Sequence, residues 1–226
     1  MLYVKEIVSS INGEANPFTQ GSPAIFVRFA GCNFYDHPCA WCDTTHALGK
    51  SGSTSYTNYE DILSYIQELA RCFGYNPVVV LTGGEPLFQE HDDLLALTNE
   101  LHKQFCIVLE TNGSYHVLHK LSTQTFRIVM DFKLSSSGNL HKMDFRHFLN
   151  LTERDMIKFP IETEQDILEA KYLTQKYFTY DFAPKKVLSP INPVRIDKKL
   201  NNQIVNLALQ ENMLVSVQIH KVLGIY

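Results

Sequence analysis

Short apolar runs alternate with segments of helical periodicity along almost the whole chain, and this alternation restricts the fold more than any other feature. Residues 24–30 (AIFVRFA), 78–81 (VVVL), 106–110 (CIVLE), 128–132 (IVMDF), 156–159 (MIKF), 187–190 (VLSP) and 214–219 (LVSVQI) read as strands. Between them, residues 57–73, 91–104, 163–177 and 196–211 carry apolar side chains at helical intervals, such as Leu94, Leu97 and Leu101, or Ile196, Leu200, Ile204 and Leu207. Thr57 and Glu60 stand at capping-box spacing at the head of the first helix. Strands alternating with helices predict βαβ units and a parallel sheet. Runs as apolar as VVVL suit strands covered on both faces. A complete eight-unit barrel takes about 250 residues, and the chain has 226. The expected fold is therefore α/β with about six or seven mostly parallel strands, arranged as an incomplete (β/α) barrel or an open doubly wound sheet. A single domain over residues 1–226 is expected, with no repeat or linker.

Composition excludes several classes. Hydrophobic residues make up 45% and charged residues 19%, which suits a globular chain with a core and not a disordered one. The formal charge of −4 lacks the basic footprint of a nucleic-acid binder. The opening residues, MLYVKEIVSSINGE, have no signal-peptide pattern, and no apolar run of about 18 residues predicts a membrane span. The five cysteines are odd in number and clustered, unlike a disulfide framework, so reduced thiols in a cytoplasmic protein are expected.

Three of those cysteines lie in GCNFYDHPCAWCDTTH, where Cys32, Cys39 and Cys42 are spaced C-x6-C-x2-C directly after a strand. Parallel α/β proteins place their chemistry in such loops. Three neighbouring thiolates need a metal to offset their repulsion, and soft thiolates suit zinc or iron–sulfur clusters. Cys32, Cys39, Cys42 and His46 could form a structural Cys3His zinc site. Alternatively, three cysteines on a [4Fe–4S] cluster leave one iron open to a small-molecule chelate. Cys72 and Cys106 lie in apolar surroundings and read as core residues.

The next strand ends in LTGGEP, whose glycines permit close backbone approach and whose Glu85 offers a carboxylate to an ammonium group. A three-cysteine loop after one strand and GGEP after the next resemble the radical S-adenosylmethionine (SAM) superfamily. The common spacing there is C-x3-C-x2-C, so this chain has three extra residues in its first gap. The segments EIVSSINGEANPFTQGSPAIFVRFAGCN, AWCDTTHA, LTGGEPL, LETNGS and VSVQIHKVLGIY narrow the likeness. Together they resemble the 7-carboxy-7-deazaguanine synthases from residue 6 to residue 226. Asn12, Gly13, Glu14 and Ala15 stand where that family usually reads Q-G-E-G, and Asp131, Phe132 and Lys133 where Ser-Pro-Lys is common.

The resemblance implies a shortened (β/α) barrel and a lyase of queuosine and 7-deazapurine biosynthesis. It implies conversion of 6-carboxy-5,6,7,8-tetrahydropterin to 7-carboxy-7-deazaguanine with loss of ammonia, through a 5′-deoxyadenosyl radical made from SAM at a [4Fe–4S] cluster and promoted by Mg²⁺. Carried over by position, Cys32, Cys39 and Cys42 ligate the cluster and Thr44 the magnesium. Trp41, Asp43, Gly84, Glu85, Lys133, Ser135, Ser189, Pro190, Ile191 and Asn192 match SAM-site positions. Ile11, Asn12, Gly13, Glu14, Arg28, Thr82, Gln218, His220 and the terminal Tyr226 match the substrate site. Taken alone, Thr44 reads as a helix cap and Arg28 equally as half of a structural ion pair. Gln218 and His220 would share one face of the last strand. The implied partners are the pterin, an unidentified electron donor and a second copy in a homodimer, with no nucleic acid and no membrane. Two other readings are a radical SAM activase that installs a glycyl radical on a partner, and a non-enzymatic zinc module.

Overall fold

The computed structural model describes residues 1–115, 125–178, 184–192 and 197–225. In chain order its elements are β1 (Leu2–Ile11), β2 (Pro23–Phe29), β3 (Thr54–Tyr56), α1 (Glu60–Ala70), β4 (Val78–Gly83), α2 (His91–His102), β5 (Ile107–Thr111), β6 (Arg127–Asp131), β7 (Met156–Ile161), α3 (Glu164–Lys176), β8 (Lys185–Pro190), α4 (Lys198–Glu211), β9 (Leu214–Val215) and α5 (Ile219–Leu223). Several short 3-10 turns join them. Among the described residues the strands form one nine-stranded sheet in the order β3-β1-β2-β4-β5-β6-β7-β8-β9. From β2 to β9 all neighbours are parallel, while β1 is antiparallel to β2 and to β3. Among the described residues the sheet does not close, because β3 and β9 remain its edges. This is the expected incomplete barrel, extended by two antiparallel strands.

The period of two along each strand builds two cores. One set of alternate residues, including Val79, Leu81, Ile107, Leu109, Ile128, Met130, Ile157 and Phe159, packs with the helices in the larger core. The other set, Ala24, Val80, Val108, Val129, Met156 and Val187, forms a smaller core on the opposite face. Phe26 and Phe18 pack against it. Two residues further along, that face turns polar at Thr82, Glu110, Asp131, Lys158 and Ser189, and on β2 at Arg28, two residues beyond Phe26. The apolar layer thus supports a polar one at the C-terminal strand ends.

Several sequence expectations need correction. β1 was not foreseen, because LYVKEIVSSI mixes polar and apolar residues and buries only part of its length. Thr57 does not cap α1: the helix begins at Glu60, and Asn58 Oδ1 accepts from Asp61 N at 3.3 Å. The capping box is found at α3, where Thr163 and Asp166 cap each other's backbone groups. Cys72 and Cys106 are exposed: one lies just past α1 and the other just before β5, at the strand entrances, so neither fills the core. The last strand stops at Val215, and the chain turns into α5 because Ile219 N donates to Gly13 O (2.9 Å) instead of extending the sheet. Ile196, expected in the last helix, lies outside the described residues.

Candidate functional site

A cavity of about 640 Å³ opens at the C-terminal ends of the parallel strands. It lies within the usual range of small-molecule sites, about 300–1,000 Å³. The cysteine loop leaves the end of β2 and forms one side. Gly31 N donates to Ala47 O (2.8 Å) and Cys32 N to Leu48 O (2.9 Å), tying the loop's two limbs together. The glycine pair at the end of β4 lets this loop sit close. A side chain on Gly84 would lie 2.3 Å from Gly31 O and 2.7 Å from Ala47 O. Gly83 has φ +119°, and a Cβ there would stand 2.3 Å from Phe29 O. The glycines therefore make room for the cluster loop's backbone.

Cys32, Cys39 and Cys42 all line the cavity. Burial, with the neighbouring charges of Glu85, Cys39 and Cys42, pushes the Cys32 thiol up to about 11. Burial, with Asp43 and Cys39, raises Cys42 as well. Three soft sulfur donors lining one cavity are suited to a cationic metal centre, which would stabilise their thiolates. Asn112 and Asn139 approach the Cys32 and Cys39 sulfurs (3.9 and 3.7 Å) as amide donors. His46 instead faces Glu6 at 3.9 Å. Among the described residues no three His, Cys, Asp or Glu side chains are grouped as for a single metal ion. The three thiols fit an iron–sulfur cluster, and the Cys3His zinc reading is not favoured.

Beside the cysteines, Lys133 lies 4.9 Å over the Trp41 ring and pairs with Asp131 (2.6 Å), while Trp41 Nε1 donates to Ser136 Oγ (3.1 Å). Thr44 takes the N-cap position of a short turn but makes no capping bond; its hydroxyl donates to Asp43 Oδ1 (3.0 Å). Asp43 also pairs with Lys221 of α5 (2.7 Å). Burial works against the Asp43 carboxylate, yet Lys221 and Thr44 hold it below its ordinary value.

On the far side, Asn12, Gly13 and Glu14 meet the C-terminal segment. Gln218 Nε2 donates to Glu14 Oε1, and Ala15 N to Ser216 Oγ (2.8 Å). A Cβ on Gly13 would overlap the His220 ring, 1.9 Å from Nδ1, so glycine permits this docking. Gln218 and His220 both line the cavity, but from the start of α5, not from a strand face. Arg28 forms the structural ion pair, its Nε on Glu6 at 2.7 Å, and also lines the cavity.

Of the residues singled out from sequence, Trp41, Asp43, Thr44, Gly84, Lys133, Ser189, Ile191, Asn12, Gly13, Glu14, Arg28, Thr82, Gln218 and His220 line this cavity with the cysteines. Ile11, Glu85, Ser135, Pro190 and Asn192 are not among its lining, and Tyr226 lies outside the described residues. The fully buried Glu85 spends its carboxylate internally. It accepts from Leu87 N (2.9 Å), Thr111 Oγ1 (2.8 Å) and Asn112 N (2.7 Å), bracing the end of β4 against that of β5. Burial pushes it up to about 6 despite these donors. Ser135 bonds to Glu169 of α3.

Sequence reasoning missed Glu110, Asp131 as a cavity group, Lys158 and Lys221. Lys158 bonds Glu14 (2.6 Å) and Asp131 (3.1 Å), and Glu110 accepts from Thr82 Oγ1 (2.8 Å). Burial opposes charge on both Glu14 and Asp131, but Lys158 with the Gln218 amide outweighs it at Glu14, and Lys133 with Lys158 outweighs it at Asp131, so both carboxylates lie below their ordinary range. Burial opposes charge on Lys158 too, and its three acidic neighbours outweigh it. Glu110 is raised by burial, with Lys158 opposing. The available signal was a charged residue inside a run otherwise apolar enough for a buried strand: the lysine in MIKF and the glutamate in CIVLE.

No family model matches the chain. Among curated proteins, the 7-carboxy-7-deazaguanine synthase of Clostridium acetobutylicum is 32% identical over 97% of this chain and 95% of its own length. That of Hyperthermus butylicus is 30% identical over 97% and 92%. The crystal structure of QueE from Escherichia coli covers 96% of this chain and 93% of its own, with a TM-score of 0.72 at 27% identity. A radical SAM methyltransferase from Sphaerobacter thermophilus shares the fold, with a TM-score of 0.59 at 12% identity over 90% and 68%.

Proposed function

This chain belongs to the 7-carboxy-7-deazaguanine synthase family, and from that premise we propose that it is a radical SAM lyase of queuosine biosynthesis. It converts 6-carboxy-5,6,7,8-tetrahydropterin to 7-carboxy-7-deazaguanine and ammonia, the whole chain acting as one radical SAM domain. The observation that carries the reading is the joining of two family segments in one cavity: the three cysteines with Trp41 and Lys133 on one side, and Asn12 to Glu14 with Gln218 and His220 on the other.

Cys32, Cys39 and Cys42 would hold the [4Fe–4S] cluster. When bound, cluster and SAM supply a 5′-deoxyadenosyl radical able to take a hydrogen atom from the substrate. The protein binds, orients and shields. Lys133, with Trp41 against it, offers a cation to the carboxylate of an amino-acid ligand. Arg28, fixed by Glu6, offers a planar fork to a substrate carboxylate. Glu14 and Gln218 present acceptor and amide groups to the polar edge of a pterin. The apolar layer beneath, with Val80, Val108 and Val129, keeps water from below. Thr44 is the hydroxyl we assign to Mg²⁺, which keeps most of its waters and takes few protein ligands. A cytoplasmic homodimer served by a separate one-electron donor completes the reading; among the described residues no helix is long and apolar enough to cross a membrane.

The test is anaerobic reconstitution with iron and sulfide, followed by chromatographic assay of 7-carboxy-7-deazaguanine from the pterin, SAM and reductant, with and without Mg²⁺. Product that depends on SAM is expected. SAM cleavage without that product would sink the substrate assignment, and a colourless zinc protein would sink the radical chemistry.

A further inference from the structure

Lys158 lies on β7, a strand buried over its whole length, with its ammonium between the two halves of the cavity. Two of its three N–H bonds go to Glu14 Oε2 (2.6 Å) and Asp131 Oδ1 (3.1 Å). Glu14 belongs to the substrate side, where its other oxygen accepts from Gln218. Asp131 belongs to the cofactor side, where its other oxygen binds Lys133 at 2.6 Å. Resting on the function proposed above, we propose that Lys158 is the positioning residue of the pterin site, fixing Glu14 as an ionised acceptor aimed at the N–H edge of the substrate.

A buried carboxylate without a cation neutralises itself by taking a proton. Charged and titratable groups that line the cavity with Glu14 include Glu110 on β5, Asp131 on β6, Lys133 just beyond β6, Lys158 on β7, Arg28 on β2 with Glu6 on β1, Asp43 in the cysteine loop with Lys221 on α5, and His220 on α5. Glu110 and Asp131 disfavour a second negative charge. Lys133 is engaged by Asp131, Arg28 by Glu6 and Lys221 by Asp43. Lys158 is the cation in direct contact with Glu14. A pterin's exocyclic amine and ring N–H are donors. An ionised Glu14 accepts from them, whereas a protonated Glu14 would turn its own O–H toward a donor and leave one of the two unpaired. Removing Lys158 therefore converts Glu14 from an acceptor at every working pH into one that must first lose a proton.

The experiment uses the anaerobically reconstituted holoenzyme with SAM, titrated calorimetrically with 7-carboxy-7-deazaguanine, which keeps the same N–H edge. Affinity is measured from about pH 6 to about pH 9, a range that spans the titration of a carboxyl raised by burial. The unsubstituted protein should bind with little change across that range. Lys158→Met should bind about tenfold or more weaker at neutral pH, as expected for an acceptor more than one pK unit from its working state, and should recover as pH rises. SAM affinity should be unchanged. Glu14→Gln should bind weakly, and adding Lys158→Met to it should cost nothing further, because the lysine acts through that carboxylate. Lys158→Gln serves as the second variant if the methionine protein does not fold. A flat pH profile in either lysine variant, additive losses in the double variant, or a titration near neutrality in the unsubstituted protein would overturn the inference and leave the substrate assignment standing. Failure of the unsubstituted holoenzyme to bind the product at all, with SAM bound, would overturn both.

Discussion

The parallel strands present two faces that obey opposite rules. On the helix side, Leu81, Leu109, Met130, Ile157 and Phe159 are apolar to the end of the strand and essentially without solvent exposure. On the cavity side, the same strands run from Val80, Val108, Val129 and Met156 to Thr82, Glu110, Asp131 and Lys158. One face buries area and sets stability; the other gives up that gain in its last layer to hold charge. The contrast shows that the cavity face is an apolar sheet face made polar over one layer and kept tolerable because each charge finds a partner. Opposed charges with hydrogen bonds can persist in such a setting where isolated ones would not.

The sharpest way to break the contrast is at the loop above the polar layer. Cys39→Ser should abolish the brown absorbance after anaerobic reconstitution and SAM cleavage with it, while the unfolding temperature of the unreconstituted protein stays within a few degrees, because Cys39 is only partly buried at the cavity rim. Unfolding on that change would mean the loop supports the fold.

The opposite outcome is expected on the helix side. Leu109→Ala removes a fully buried side chain between the sheet and its helices. It should cost about 2–5 kcal/mol in urea unfolding, with SAM affinity of the folded fraction retained. A loss below about 1 kcal/mol would show that the outer core relaxes into the gap.

A smaller effect concerns Glu85, which joins the two faces at the strand ends. Its native value of about 6 lies above its ordinary one. The native state therefore takes up this proton before the unfolded chain does, and the group's contribution to stability grows as pH falls from about 6 to about 4.5 and is lost as pH rises through that window. The amount is up to about 2 kcal/mol. Glu85→Gln should flatten that part of the pH–stability curve, read from urea midpoints; an unchanged slope would show that the three donors keep Glu85 at an ordinary value.

Much of this was legible in the sequence because it is local. The cysteine spacing, GGEP and the apolar runs depend on neighbours along the chain, and the period of two already assigned alternate residues to opposite faces. Elements that break those patterns were missed. β1 pairs along one edge and carries polar side chains, so no apolar run marks it. Glu85 was expected to face a ligand, but its carboxylate meets backbone donors first, since the turn after Gly84 points it back into the protein. Gln218 and His220 do line the cavity, but from the start of a helix and not from the continued strand that the alternation suggested.

The sequence by itself determined which donors exist and on which strand ends they stand, since spacing and alternation are properties of a few consecutive residues. Only the tertiary structure decided which of them meet. Glu14 reaches Lys158 across 144 residues and Gln218 across 204. Such pairings follow from the order of strands in the sheet, from its curvature and from the docking of the C-terminal segment over Gly13. Those are set by the packing of the whole chain, and no local pattern encodes the partner that a buried charge will find.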